Sequence, residues 1–267
     1  MKINTITTSK LNYTPAFKSN NRTVRDKNGQ FLYRNTTSFF REDLIWDKFV
    51  ELIKEKYKNT DKVNIMCYAC SDGSEPMSLA MLLRENFGEE AEKFFPIIAK
   101  DIDSTVIYTA KGDYVNMDYA DFETINKYTG GNFEKYFKRP LGGIGIEYDY
   151  PVRMNPLFKK MINYSVANIT KDVSNIPPEN TIIFCRNFWP YIESAQERTQ
   201  FVNNLAQQLK TNCTIVIGNF DDTVETHRLL RANGFRNHKM TNVFETMDGW
   251  KHYYTGAHNL NINDINE

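Results

Sequence analysis

Gly73, Asp101, Asn168, Arg186, Asn187 and Gly218 each stand where a short apolar run ends. A glycine lets a backbone come close to a ligand, a carboxylate accepts from ribose hydroxyls, and an amide reads a base edge. These residue types suit a nucleoside cofactor. The apolar run 63–69 leads into the small polar turn that holds Gly73. Ser74 can cap a helix there, Glu75 and Pro76 suit its first turn, and Leu79, Ala80, Leu82 and Leu83 continue it. Strand, glycine turn, helix is the layout of a nucleoside site at the edge of an open α/β sheet, and also of an ordinary βα turn. Asp101 competes with Asp103 for the ribose. Asp103 stands just before a helix beginning at Ser104 and can be its N-cap, so the strand-end geometry favours Asp101.

Other chemistries are less well supported. No G-x-G-x-x-G is present, which counts against NAD and FAD. Gly143-Ile144-Gly145 lacks a strand-to-helix context and reads as a hairpin. Cys67 and Cys70 form a C-x-x-C, but Cys67 lies inside an apolar run and no cysteine or histidine cluster follows. His227, His238, His252 and His258 are far downstream and apart, so no metal is expected and the thiols read as small core groups. A nucleoside without phosphates, S-adenosylmethionine, fits best.

The elements that must position these residues alternate. Leu44, Trp46, Phe49, Val50, Ile53 and Tyr57 predict a helix over about 43–58. Buried strands are expected at 63–69, 96–100, 181–185 and 213–217 and a short strand at 163–167, with helices at about 74–86, 104–111, 121–127, 194–210 and 223–232 between them. A closing hairpin is expected from Val243–Met247 and His252–Tyr254 around Asp248-Gly249. The fold class is α/β: a doubly wound, mostly parallel sheet, in which ligands sit at the carboxyl ends of strands. Residues 133–164, rich in glycine, proline and alternating Ile/Glu/Tyr, predict a small antiparallel β-subdomain inserted in this rhythm. Residues 1–30 read as a flexible leader, 31–256 as the catalytic domain and 257–267 as a frayed tail. The 267 residues carry 33 basic and 33 acidic side chains, so no global field favours nucleic acid or an anionic membrane. No apolar run reaches spanning length and the start has no secretory core, which predicts a cytoplasmic protein without membrane insertion.

Five pieces then occur in order: N-x-T-x-F-F-R-E from Asn35, A-C-S-x-G-x-E-P-x-S-L-A-M from Ala69, D-I-D from Asp101 with A-x-x-G-x-Y after it, N-I at Asn168, and I-F-C-R-N-x-x-x-Y ending at Tyr191. Over residues 31–256 the chain resembles the CheR-type chemotaxis receptor methyltransferases. The resemblance implies a class I methyltransferase fold, with a small β-subdomain, that moves a methyl group from S-adenosylmethionine to receptor glutamates and releases S-adenosylhomocysteine. It implies that Asn35, Thr37 and Arg41 close over the methionine end of the cofactor, and that Arg41 grips a carboxylate of cofactor or substrate. Glu75 would meet the amino end or the ribose, Asp101 the ribose, and Asn168 with Ile169 the adenine edge. Arg186 and Asn187 would line the methyl-transfer pocket, with Tyr191 near the substrate. Catalytic roles thus fall on Arg41, Arg186 and Tyr191. The alternatives are a surface arginine at a helix start for Arg41, a plain first-turn acid for Glu75 and a core tyrosine for Tyr191.

The partner implied is a protein acceptor, with a chemoreceptor's cytoplasmic helix as the family's example. The chain departs from the family on the substrate side. About 34 residues precede Asn35 where the family carries a basic helical domain. Gly218-Asn219-Phe220-Asp221 replaces G-H-S-E, and Phe188-Trp189-Pro190-Tyr191-Ile192 replaces V-L-I-Y-F. These departures leave three activities open: glutamate methylation, methylation of another nucleophile, and a non-catalytic module that binds the cofactor or docks a peptide.

Overall fold

The computed structural model describes residues 22–25, 31–35, 37–139, 150–192, 194–238 and 240–247. In chain order, β1 (Arg22–Arg25) pairs antiparallel with β2 (Phe31–Asn35), Val24 opposite Tyr33. Part of the expected leader is therefore a strand, too short for its period to show in composition. The rest of residues 1–30 lies outside the described residues. So do the hairpin expected at Gly143, the turn Asp248-Gly249, the arm His252–Tyr254 and the tail 257–267.

Helix α1 (Trp46–Lys56) starts later than its apolar spacing predicts. The Arg41 carbonyl is taken by Leu44 N and by Trp46 Nε1, so residues 41–44 form a turn. Asp43 stays in the loop as a result. The alternation then runs β3 (Asn64–Tyr68), α2 (Ser74–Phe87), β4 (Ile97–Asp101), α3 (Ser104–Ala110), β5 (Tyr114–Met117), α4 (Tyr119–Thr129), α5 (Phe133–Tyr136), β6 (Phe137–Lys138), β7 (Tyr150–Met154), α6 (Pro156–Lys159), β8 (Ile162–Val166), α7 (Ile169–Asp172), β9 (Thr181–Cys185), α8 (Ala195–Gln208), β10 (Thr214–Val216), α9 (Val224–Ala232), β11 (Phe235–His238) and β12 (Met240–Thr246).

The main sheet has the order β11-β12-β10-β9-β3-β4-β8. From β10 to β8 every pair is parallel, while β12 and β11 run antiparallel at one edge. The chain winds outward from β3 through β4 to β8, then returns to place β9 beside β3. The switch point lies between β3 and β9, where the loops part and leave a crevice. Both strands are apolar runs, and β9 is buried at all five positions, as a central parallel strand requires. Ile182 and Phe184 of β9 join the core under α1 and α2, while Ile183 and Cys185 join the core under α8 and α9.

A separate three-stranded antiparallel sheet has the order β5-β7-β6. It begins at Tyr114, about twenty residues before the expected subdomain, and Ile162–Val166 belongs to the main sheet instead. The Tyr114–Met117 segment is recognisable as a strand only through its partner more than thirty residues on. The described partners of β12 are likewise both upstream, β10 on one side and β11 on the other, with His238 of β11 opposite Met240. Among the described residues no helix is long and apolar enough to cross a membrane.

Candidate active site

The turn between β3 and α2 is held in an uncommon shape. Ala69, Ser71 and Gly73 all have positive φ, at 53°, 51° and 93°. Two acidic side chains fix it. Asp72 Oδ1 accepts from Ser74 N at 3.1 Å and Ser74 Oγ at 2.7 Å, so Asp72 rather than Ser74 closes the start of α2. Asp101, at the tip of β4, accepts from Ser71 N at 2.8 Å and Asp103 N at 2.9 Å. Asp103 caps α3 by accepting from Thr105 N. Of the two aspartates, Asp103 is the cap and Asp101 lines the cleft. Burial raises the Asp101 carboxyl above its ordinary value, against the backbone N–H donors.

Gly73 itself is not among the lining residues. Its missing side chain makes room for Tyr164: a Cβ at 73 would sit 2.5 Å from the tyrosine hydroxyl. The glycine is required by packing and by φ, and it is Ala69 and Ser71 of this turn that line the cleft.

The loop 37–45 is pinned by two phenylalanines. Phe39 packs edge-on to Phe137, and Phe40 stacks on Tyr128 at 4.2 Å and meets Trp46 edge-on. Phe40 N also donates to Ser78 Oγ at 2.9 Å. Each buried ring contributes roughly 2–3 kcal/mol, enough to fix the backbone that follows. Arg41 and Asp43 are thereby set at the mouth of the cleft. Arg41 is not a free surface side chain; its Nε lies 4.0 Å from Asp43 Oδ1.

Arg186 follows β9 and its side chain is 1% exposed. It donates from Nη1 to Glu75 Oε2 at 2.6 Å and from Nη2 to Asp43 Oδ1. Glu75 is therefore a buried ion-pair member and not a plain first-turn acid. Burial raises its carboxyl, with Arg186 and Arg41 pulling the other way. For Asp43 the balance is reversed. Burial would raise it, but Arg186, Asn187 and Arg41 hold it below the usual carboxylate range. Asn187, at φ 60°, donates from Nδ2 to Asp43 Oδ2 at 3.1 Å and accepts at Oδ1 from Phe220 N at 3.0 Å. Gly218 allows this, since a Cβ there would lie 2.3 Å from Asn187 Oδ1. The polar ends of Arg186 and Asn187 thus hold the loop and the strand tips together.

Asp221 completes the frame from inside the turn after β10. It accepts from Gly218 N at 2.9 Å, Trp189 N at 3.0 Å and Asn187 N. Burial pushes its carboxyl up to about 7 in spite of these donors. A folded value above the ordinary one means the fold holds a proton that the unfolded chain has lost. The stabilising contribution is full below pH 4 and is lost as pH rises through 7. Asp221→Asn cannot titrate. In denaturant melts, wild type should therefore lose on the order of 2 kcal/mol relative to the variant between pH 5 and pH 8. A constant difference across that range would contradict this assignment.

These parts enclose a cleft of about 630 Å³ over the tips of β3, β4 and β9. Thr37, Arg41, Glu75, Asp101, Asn168, Ile169, Arg186, Asn187 and Tyr191 all line it. Asn168 caps α7 with its carbonyl oxygen, accepting from Thr170 N and Thr170 Oγ1, so the cap does not use its amide NH2. Tyr191 is 41% exposed, so it is a rim residue rather than a core tyrosine. Asn35 belongs to β2, and the structure describes its backbone alone. Sequence reasoning missed Ser71, Asp43 and Asp221. The acid at 43 follows the F-F-R-E run directly, and that adjacency was its one signal. Cys67 and Cys70 are buried free thiols whose values burial raises.

A family model described as CheR methyltransferase, SAM binding domain, matches residues 35–238. The chain belongs to this family. The fold is accordingly the α/β class I methyltransferase fold, and the family's cofactor is S-adenosylmethionine. The chain is 27% identical over 191 residues to a chemotaxis protein methyltransferase of Borreliella burgdorferi, covering 69% of this chain and 63% of the relative. It is 23% identical over 203 residues to a chemotaxis protein methyltransferase of Escherichia coli, covering 76% and 66%. The chain thus spans a little under two thirds of the length of these relatives. A solved TehB-like SAM-dependent methyltransferase of Corynebacterium glutamicum aligns at 10% identity and a TM-score of 0.40, over 74% of this chain and 86% of that one. At that score the likeness adds nothing to the sheet order already described.

The residues fit the family's cofactor. Ser71 Oγ and Arg186 Nε are buried in the cleft wall with no hydrogen-bond partner among the described residues. Buried polar groups of this kind are matched by a polar ligand. The lining also suits it chemically, since it holds a carboxylate in Asp101, an amide in Asn168 and a guanidinium in Arg41.

Proposed function

We propose that this CheR-family chain methylates glutamate side chains of a protein acceptor on the cytoplasmic side, of the kind the relatives' name points to, leaving a methyl ester. The observation that carries the reading is the chemistry of the cleft wall. Among the described residues its lining has no histidine, and its two buried acids are engaged, Glu75 by Arg186 and Asp101 by the N–H groups of Ser71 and Asp103. A site for a neutral nucleophile needs a base, whereas a glutamate carboxylate is already ionised near neutral pH. When bound, S-adenosylmethionine supplies an electrophilic methyl group on a sulfonium.

The protein's own work is to bind, align and exclude water. Asp101 accepts from the ribose hydroxyls. The Asn168 amide and the Ile169 N–H donate to the adenine edge. Glu75 keeps Oε1 for the amino group, since Arg186 takes Oε2. Asn35 and Thr37 close over the amino-acid end, and Arg41 offers its planar fork to a carboxylate, the cofactor's or the acceptor's. Arg186 and Asn187 frame the methyl end, and Tyr191 stands at the rim where the acceptor enters.

The test is transfer of labelled methyl from S-adenosylmethionine to chemoreceptor-bearing membranes. Label released by alkali as methanol is expected. Alkali-stable label, or no turnover from a protein that binds S-adenosylhomocysteine, would overturn the reading. Asp101→Asn keeps the shape of the side chain but loses its charge and half of its accepting capacity. Its affinity for S-adenosylhomocysteine should fall about tenfold, or ~1.4 kcal/mol, by titration calorimetry. Unchanged affinity would remove Asp101 from the ribose.

A further inference from the structure

A second groove opens on the other side of Arg41. Its walls are the 38–43 loop and one face of α4, where Ala120, Thr124, Lys127 and Tyr128 fall at helical spacing. Tyr128 is stacked on Phe40, so this wall is fixed. Arg41 and Phe220 line both the groove and the cleft. Phe220 is 68% exposed, yet it stands on a constrained turn: its N–H is bonded to Asn187 Oδ1, and Asn219 N donates to Asp43 Oδ2 at 3.4 Å. An exposed ring on a turn whose backbone is held this firmly, on the ridge between two cavities, is placed to meet a partner.

We infer that this groove seats the acceptor polypeptide on either side of the reacting glutamate, whose side chain passes between Arg41 and Phe220 into the cleft. The inference rests on the glutamate reading above. A glutamate carboxylate reaches only about 5 Å beyond its own Cα. The acceptor backbone must therefore lie just outside the methyl end, and a depression continuous with that end meets the requirement. The lining also suits a peptide better than a small molecule. Aromatic and methyl-bearing side chains can pack its side chains, while Lys127 can meet its backbone carbonyls. Phe220 then favours an apolar residue next to the glutamate.

The probe is a fluorescein-labelled dodecapeptide with one central glutamate among alanines and leucines, titrated with the whole protein at saturating S-adenosylhomocysteine and read by anisotropy. Thr124→Trp fills the groove. Ala120→Trp, at an exposed position, does the same with less risk to folding. Each should weaken peptide binding tenfold or more and leave S-adenosylhomocysteine affinity, measured separately, unchanged. The inference is overturned if wild type does not bind the peptide, or if both variants bind it as wild type does. It is also overturned if N-acetylglutamate amide competes as well as the unlabelled peptide. A peptide that binds in a groove-dependent way but takes no alkali-labile methyl supports the groove and overturns the glutamate reading instead.

Discussion

Arg41→Ala is expected to lower methyl transfer by roughly a hundredfold to a thousandfold, the usual cost of losing one preorganised charged donor or of misplacing a reacting group by an ångström. The loop that carries Arg41 is anchored by Phe39 and Phe40 in the core, so its backbone should stay in place when the guanidinium is removed. The loss then reports on the side chain itself. Two readouts divide its role. If Arg41 grips the carboxylate of the cofactor, affinity for S-adenosylhomocysteine falls together with transfer. If it grips the acceptor, affinity holds and only transfer falls. Arg41→Lys keeps the charge but not the planar fork, and should recover only part of the rate. Transfer within threefold of wild type in the alanine variant would remove Arg41 from the chemistry.

Arg186→Leu should destabilise the fold by about 3–5 kcal/mol. The guanidinium is 1% exposed and lies between Glu75 and Asp43, whose side chains are each 8% exposed. Removing the cation leaves two buried carboxylates without their counter-charge, which costs far more than an exposed ion pair contributes. For a domain of this size the melting temperature should fall on the order of 10 °C. The sign of a pH effect follows as well. Asp43 is held below its ordinary value in the wild type, so its contribution to stability is present above pH 4 and is lost as pH falls through the depressed folded value. In Arg186→Leu that acid-side loss should disappear, because the main stabilising charge has gone. The double variant Arg186→Leu/Asp43→Asn should regain part of the lost stability, since one buried charge is removed. A single variant as stable as wild type would show that the cluster is solvated.

The local alphabet of the chain carried a great deal. Apolar runs ending in Asp101 or Arg186 mark buried parallel strands and the residues at their tips, because a strand covered on both faces must be apolar until it emerges, whereas the strand before Asn168 is a mostly exposed edge strand. With alternating helices, those tips fall on one edge of one sheet whatever the details of packing. Most of the residues that line the cleft were legible for that reason, and the ordered motifs sharpened the reading. The small sheet was legible only in part, since β5 acquires its meaning from β7, and β1 is too short to show a period.

What tertiary structure alone decided is who partners whom across the cleft. Asp43 reads as the first residue of a helix, yet a turn at the Arg41 carbonyl keeps it out of α1 and brings it to Arg186, 143 residues away. Gly73 reads as a ligand contact and proves to be the space that Tyr164 occupies. Asp221 reads as a departure from a motif and proves to be the acceptor that gathers three backbone amides under the strand tips. A periodic pattern records which way a side chain faces relative to its own element. It holds no record of which other element arrives there, because that depends on how the whole sheet is wound.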